Sequence, residues 1–145
     1  MEQKASFSKG LSSEQYAAIA AFRYQLRRFL AFSEAAAQQA GLPHQQHQAM
    51  LAIAGHVGSE APSVGVLADR LLIAPHTAAE LVSRMVEASL LTKTRSAHDA
   101  RRMELALTPR AESILAELTA AHLEELRTME PALVRALGKL DTGSV

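Results

Sequence analysis

At 145 residues, 48% hydrophobic and 21% charged, the chain has the size and composition of one domain with a sizeable core, and its composition argues against disorder. It contains no cysteine, which removes disulfides, thiolate metal ligation and thiol redox switching. No apolar run approaches the roughly 18 residues of a membrane span and no charged-then-apolar leader is seen, so a soluble cytoplasmic protein with no membrane association is expected. The formal net charge is zero, but it is unevenly spread. Residues 92–110 hold Lys93, Arg95, Arg101, Arg102 and Arg110 against Asp99 and Glu104, while residues 111–145 are acidic on balance. A local field governs docking more than the sum does.

In chain order, Ser12 with Gln15 reads as a capping box for a first helix running to about Gln39. Its apolar positions Tyr16, Ile19, Phe22, Leu26, Phe29 and Leu30 recur at helical spacing, with alanines that permit close helix approach. Gly41 ends this helix, and Pro43 suits the start of a second that finishes near Gly55–Gly58. Ser63 is a fitting N-cap for Val64–Leu72, Ile73–Ala74 make a turn, and Pro75 opens a helix to about Ser89. Leu90–Arg95 and Met103–Thr108 read as two strands, the second alternating with period two, around a polar hairpin tip at Ser96–Arg102. Thr108–Pro109 caps a further long helix, which Pro131 is expected to divide from a short last one. The fold class predicted is mainly α with a small β wing: a winged helix-turn-helix with flanking N- and C-terminal helices.

Little in the chain points to catalysis. His44-x-x-His47 lacks a nearby carboxylate or thiol to complete a metal set, and Ser59, His56 and Asp69 make no triad without geometry. There is no Gly-rich phosphate loop and no His-Glu-x-x-His motif. Neither an enzyme activity nor a metal or cofactor is expected.

Three segments carry a family resemblance. Val66-Leu67-Ala68-Asp69-Arg70-Leu71 looks like the first helix of a helix-turn-helix, and Pro75–Met85 like its recognition helix. Asp99-Ala100-Arg101 followed by a strand ending in Leu107-Thr108 matches a wing signature. In these features the chain resembles the MarR family of transcriptional regulators. The resemblance implies a single MarR-like domain over 1–145, with a winged helix-turn-helix at 43–108 and dimerisation helices at 11–40 and 109–140. It further implies a homodimer on a pseudo-palindromic double-stranded DNA operator, acting as a repressor and released by a small aromatic or phenolic effector. Two positions depart from the family pattern: Ser89 and Ala111 stand where glycines are usual.

On a helical Pro75–Ala88, Ala78, Leu81, Val82, Met85 and Val86 fall near one face. His76, Thr77, Glu80, Ser83, Arg84 and Glu87 lie opposite. His76, Thr77, Ser83 and Arg84 are the candidate DNA contacts of this helix, through base edges or phosphates. Glu80 and Glu87 are expected to tune specificity by repulsion or to pair with arginines. The resemblance puts the minor-groove arginine at Arg101, braced by Asp99, with Arg95 and Arg102 beside it. Tyr16, Tyr24, His44, His47 and Met50 are the candidate effector pocket. The alternative reading is a winged-helix protein–protein interaction module without direct DNA binding.

Overall fold

The computed structural model describes residues 10–140. Its elements are α1 (Ser13–Gln39), α2 (His44–Ala54), α3 (Val64–Leu71), α4 (Pro75–Glu87), β1 (Leu91–Arg95), β2 (Met103–Leu107) and α5 (Pro109–Gly138). Contacts divide the chain into two compact units. One is Ala36–Thr119; the other comprises the described residues of Met1–Ala35 and Ala120–Val145. The helical content and single two-stranded wing match the fold class read from the sequence.

The capping chemistry at α1 is as expected: Ser12 N–H donates to Gln15 Oε1 at 2.9 Å, and Gln15 N–H returns to Ser12 Oγ at 3.2 Å. Ser63 Oγ caps α3 by accepting from Val66 N–H at 3.3 Å. Thr108 Oγ accepts from Ala111 N–H at 3.2 Å at the start of α5 and donates to Ser89 O at 2.7 Å. One hydroxyl thus starts a helix and ties it to the turn before β1.

Three helices end in the same way. After α1, Leu42 N–H bonds Ala37 O and Gly41 N–H bonds Gln38 O, with Gly41 at φ +76°. After α3, Ile73 N–H bonds Ala68 O and Leu72 N–H bonds Asp69 O, with Leu72 at φ +55°. After α4, Leu90 N–H bonds Met85 O and Ser89 N–H bonds Val86 O, with Ser89 at φ +60°. Each is a Schellman motif, whose left-handed residue is ordinarily glycine because a Cβ crowds the backbone there. Only the first has one. Ser89 therefore keeps the left-handed backbone without a glycine.

The central unit closes around one apolar cluster. Met50 and Ile53 of α2, Leu67 of α3 and Leu81, Val82 and Met85 of α4 meet Leu90, Leu91 and Leu105, with Leu115 and Leu118 of α5. Full burial of such a side chain contributes about 1.5–3 kcal/mol. β1 and β2 are antiparallel, with Leu91 opposite Leu107, Lys93 opposite Leu105 and Arg95 opposite Met103. In the terminal unit, His122 is buried, its Nε2 lying 2.8 Å from Ser33 Oγ between the edges of Phe29 and Phe32.

Two expectations need correction. Pro131 does not divide the C-terminal helix: α5 runs unbroken through it. The proline removes one N–H, and both it and Arg127, whose carbonyl would have accepted that N–H, are exposed, so water can replace the missing bond. Val86 is 39% exposed rather than part of the buried face of α4, which consists of Ala78, Leu81, Val82 and Met85.

Candidate functional site

The site is built from α4 and the β1–β2 hairpin, both within the central unit. α4 begins at Ala74, which offers no side-chain cap, and Pro75 at the first position has no N–H to cap. The first intrahelical bond is Ala78 N–H to Ala74 O, leaving the N–H groups of His76 and Thr77 without a helical acceptor. The positive end of the helix dipole is therefore open. His76 is exposed and Thr77 half-buried there, while Ser83 and Arg84 stand exposed further along. His76 and Arg84 are about 12 Å apart along the axis. Among the described residues the Arg84 guanidinium has no bonded partner, and neither Glu80 nor Glu87 forms an ion pair.

The hairpin tip is held by its own polar groups. Ser96 is buried, and its Oγ accepts from the N–H groups of His98 at 3.2 Å and Asp99 at 3.3 Å. Asp99 Oδ1 accepts from Arg101 N–H at 3.0 Å, so the aspartate braces the loop through the backbone of the arginine rather than its guanidinium. Ser96 N–H to Arg102 O at 2.9 Å and Arg102 N–H to Asp99 O at 3.0 Å close the turn. Arg95 Nη1 donates to Ala100 O at 3.1 Å. The Arg101 guanidinium is left exposed, with no bond among the described residues.

Arg102 differs from its neighbour. Its side chain is 24% exposed; Nη2 donates to Ala61 O at 2.6 Å and Nη1 lies 3.6 Å from a Glu60 carboxylate oxygen. Sequence reasoning grouped it with Arg101 and missed the acceptor, which lies 41 residues away. It also passed over Lys93 as a site residue, although Lys93 is exposed and shares a strand face with Arg95. A groove of about 270 Å³ separates the start of α3 from the wing, lined by Ser63, Val64, Gly65, Asp99, Arg101, Arg102 and Met103.

These features coincide with a family match. The model of the MarR family matches residues 40–102, which span α2, α3, α4, β1 and the hairpin tip. That segment is similar to the MarR family. No curated protein matches the chain by sequence. Among solved structures, a point mutant of MepR from S. aureus bound to an oligodeoxyribonucleotide superposes with a TM-score of 0.64 at 17% identity, covering 83% of this chain and 95% of that one. AbsC, a MarR family transcriptional regulator from Streptomyces coelicolor, superposes with a TM-score of 0.67 at 16% identity, covering 83% and 81%. The S. aureus MepR–DNA complex gives 0.64 at 17% identity, covering 76% and 80%. The MarR fold thus extends well beyond the matched segment.

The effector candidates are distributed over both units. Tyr16 and Tyr24 are exposed on the terminal unit, with the Arg28 guanidinium 5.8 Å from the Tyr24 ring centre. In the central unit Met50 is fully buried in the core and His47 is buried, while half-buried His44 has Nε2 2.8 Å from Gln48 Nε2. Among the described residues no group of three or more His, Asp or Glu could hold a metal ion, and no helix is long and apolar enough to cross a membrane.

Proposed function

We propose that the chain is a sequence-specific double-stranded DNA-binding transcriptional regulator. The observation that carries this reading is the Arg101 guanidinium, exposed and unbonded at the tip of a hairpin whose backbone N–H groups are bonded by Ser96 and Asp99. An always-charged planar donor on a braced loop suits a narrow, negative minor groove. α4 enters the adjacent major groove, with the open N-terminus and His76 on a phosphate and Thr77, Ser83 and Arg84 at base edges or the backbone. Lys93 and Arg95 add backbone charge. The DNA-bound structures of MepR support this docking by likeness of fold.

The active species in this reading is a homodimer on a pseudo-palindromic operator, its half-sites about one helical turn apart. Ile19, Leu26 and Leu30 of α1 and Leu123, Leu126 and Val134 of α5 are each at least two-fifths exposed, an apolar surface that a second copy would cover. Repression, relieved by a small aromatic effector, completes the proposal.

The test is a fluorescence titration of the protein and Arg101→Ala on duplex DNA across a range of salt concentrations. Loss of one phosphate-neutralising arginine reduces the slope of log affinity against log salt by about 1. An unchanged affinity and slope in the variant would remove Arg101 from the interface. Salt-independent behaviour of the parent chain would favour the protein–protein module instead.

A further inference from the structure

We infer that Arg102 is a positioning residue: it fastens the wing to the Glu60–Pro62 segment and so fixes where Arg101 stands, without itself contacting DNA. The inference rests on the DNA-binding reading for its consequence, but the fastening is a property of the free protein.

The local chemistry explains why an arginine is needed. Pro62 has no N–H, so at that position the strap beside β2 can offer the wing only an acceptor. Two successive carbonyls do so. Pro62 O accepts from Leu105 N–H at 2.8 Å, and Ala61 O accepts from Arg102 Nη2 at 2.6 Å. One residue on, Ser63 pairs with Glu104 as an isolated bridge. The carbonyl before Pro62 takes its donor not from the strand backbone but from the side chain of Arg102. Ala61 precedes a proline, which biases its backbone toward extended and restricts the direction of its carbonyl. The bond is charge-assisted, hence stronger than a neutral one. Glu60 contributes less, being 68% exposed and 3.6 Å away.

The same geometry argues against a phosphate contact. Swinging the guanidinium outward would strip Ala61 O of its charged donor and break the pair with Glu60. Arg101, one residue earlier, carries no such constraint. Adjacent arginines therefore have separate tasks, one held by the protein and one left for the ligand.

The test pairs amide hydrogen exchange on the free protein with salt-dependent titration on a duplex of about 30 base pairs, three helical turns. Arg102→Ala is expected to speed exchange of the Ser96 and Leu105 amides about 10-fold or more, while the Leu81 amide in α4 is unchanged. On DNA its affinity falls by about 10-fold with the salt slope intact, whereas Arg101→Ala lowers the slope. Arg102→Lys, which retains one donor, restores part of both effects, and Glu60→Gln changes either by less than about 2-fold. A slope reduced by about 1 in Arg102→Ala, or wing amides that exchange as in the parent, overturns the inference. If the parent binds no DNA, the functional reading fails while the exchange measurement still decides the fastening.

Discussion

Replacing Leu72 by glycine should stabilise the protein. Leu72 is 91% exposed, so removing its side chain forfeits almost no burial. It also sits at φ +55°, where a Cβ costs about 1–2 kcal/mol. Against that relief stands the extra freedom glycine gives the unfolded chain, about 0.5–1 kcal/mol. The net gain is about 0.5–1 kcal/mol, or a Tm rise of about 1–4 °C for a chain of this size. Leu72→Ala separates the two causes: it removes the same exposed side chain but keeps the Cβ, and should change stability by less than about 0.5 kcal/mol. Thermal and urea unfolding followed by circular dichroism, at one protein concentration for all variants, measures both. Gly41 completes the same bonding pattern as Leu72 and is the internal precedent for it. A glycine variant no more stable than the alanine variant would refute the assignment of left-handed strain to this turn.

Ser89→Gly should behave alike in the same unfolding assay, gaining about 0.5–1 kcal/mol, since Ser89 at φ +60° ends α4 in the same motif. Thr108→Val should lose about 1–2 kcal/mol, because the hydroxyl both caps α5 and donates to Ser89 O, and Thr108→Ser should recover most of it. Urea midpoints for the pair discriminate the hydroxyl from the methyl. Pro131→Ala should raise Tm by restoring one helical hydrogen bond in α5, with a gain of up to about 3 kcal/mol; a lower Tm would mean that the proline ring packs where its exposure says it does not.

What the sequence disclosed was local. Ser12 with Gln15, Ser63 and Thr108 each announce a helix start because the capping hydrogen bond lies within three residues. The alternation of β2 and the Asp99/Arg101 wing are legible for the same reason. What stayed hidden depended on distant partners. Nothing near Arg102 indicates that its donor goes to Ala61, and nothing around Leu72 says a leucine will take a left-handed turn; tertiary packing imposes both. Pro131 misled because the local rule against proline in a helix ignores whether the missing bond lies on a solvated surface. Among the binding candidates, the exposure of His76, Ser83, Arg84 and Arg101 accords with the helix and hairpin pattern. The effector candidates were less legible, since a tyrosine, histidine or methionine at helical spacing reads equally as surface or core.

The strap across β2 also bears on solubility. With Pro62 and Ser63 against β2, that strand has no open edge at Glu104–Leu105, and the ring of Pro62 prevents the strap from recruiting another strand through an N–H of its own. Among the described residues the sheet keeps a single free edge, β1, on which Thr92, Lys93, Thr94 and Arg95 are all exposed. Cations on an edge strand deter a second copy from adding there, because like charges would be brought opposite each other. Lys93 and Arg95 thus guard against cross-strand aggregation whenever no polyanion covers them, so their neutralisation would expose the sheet to fibre-like self-pairing even if the fold were untouched.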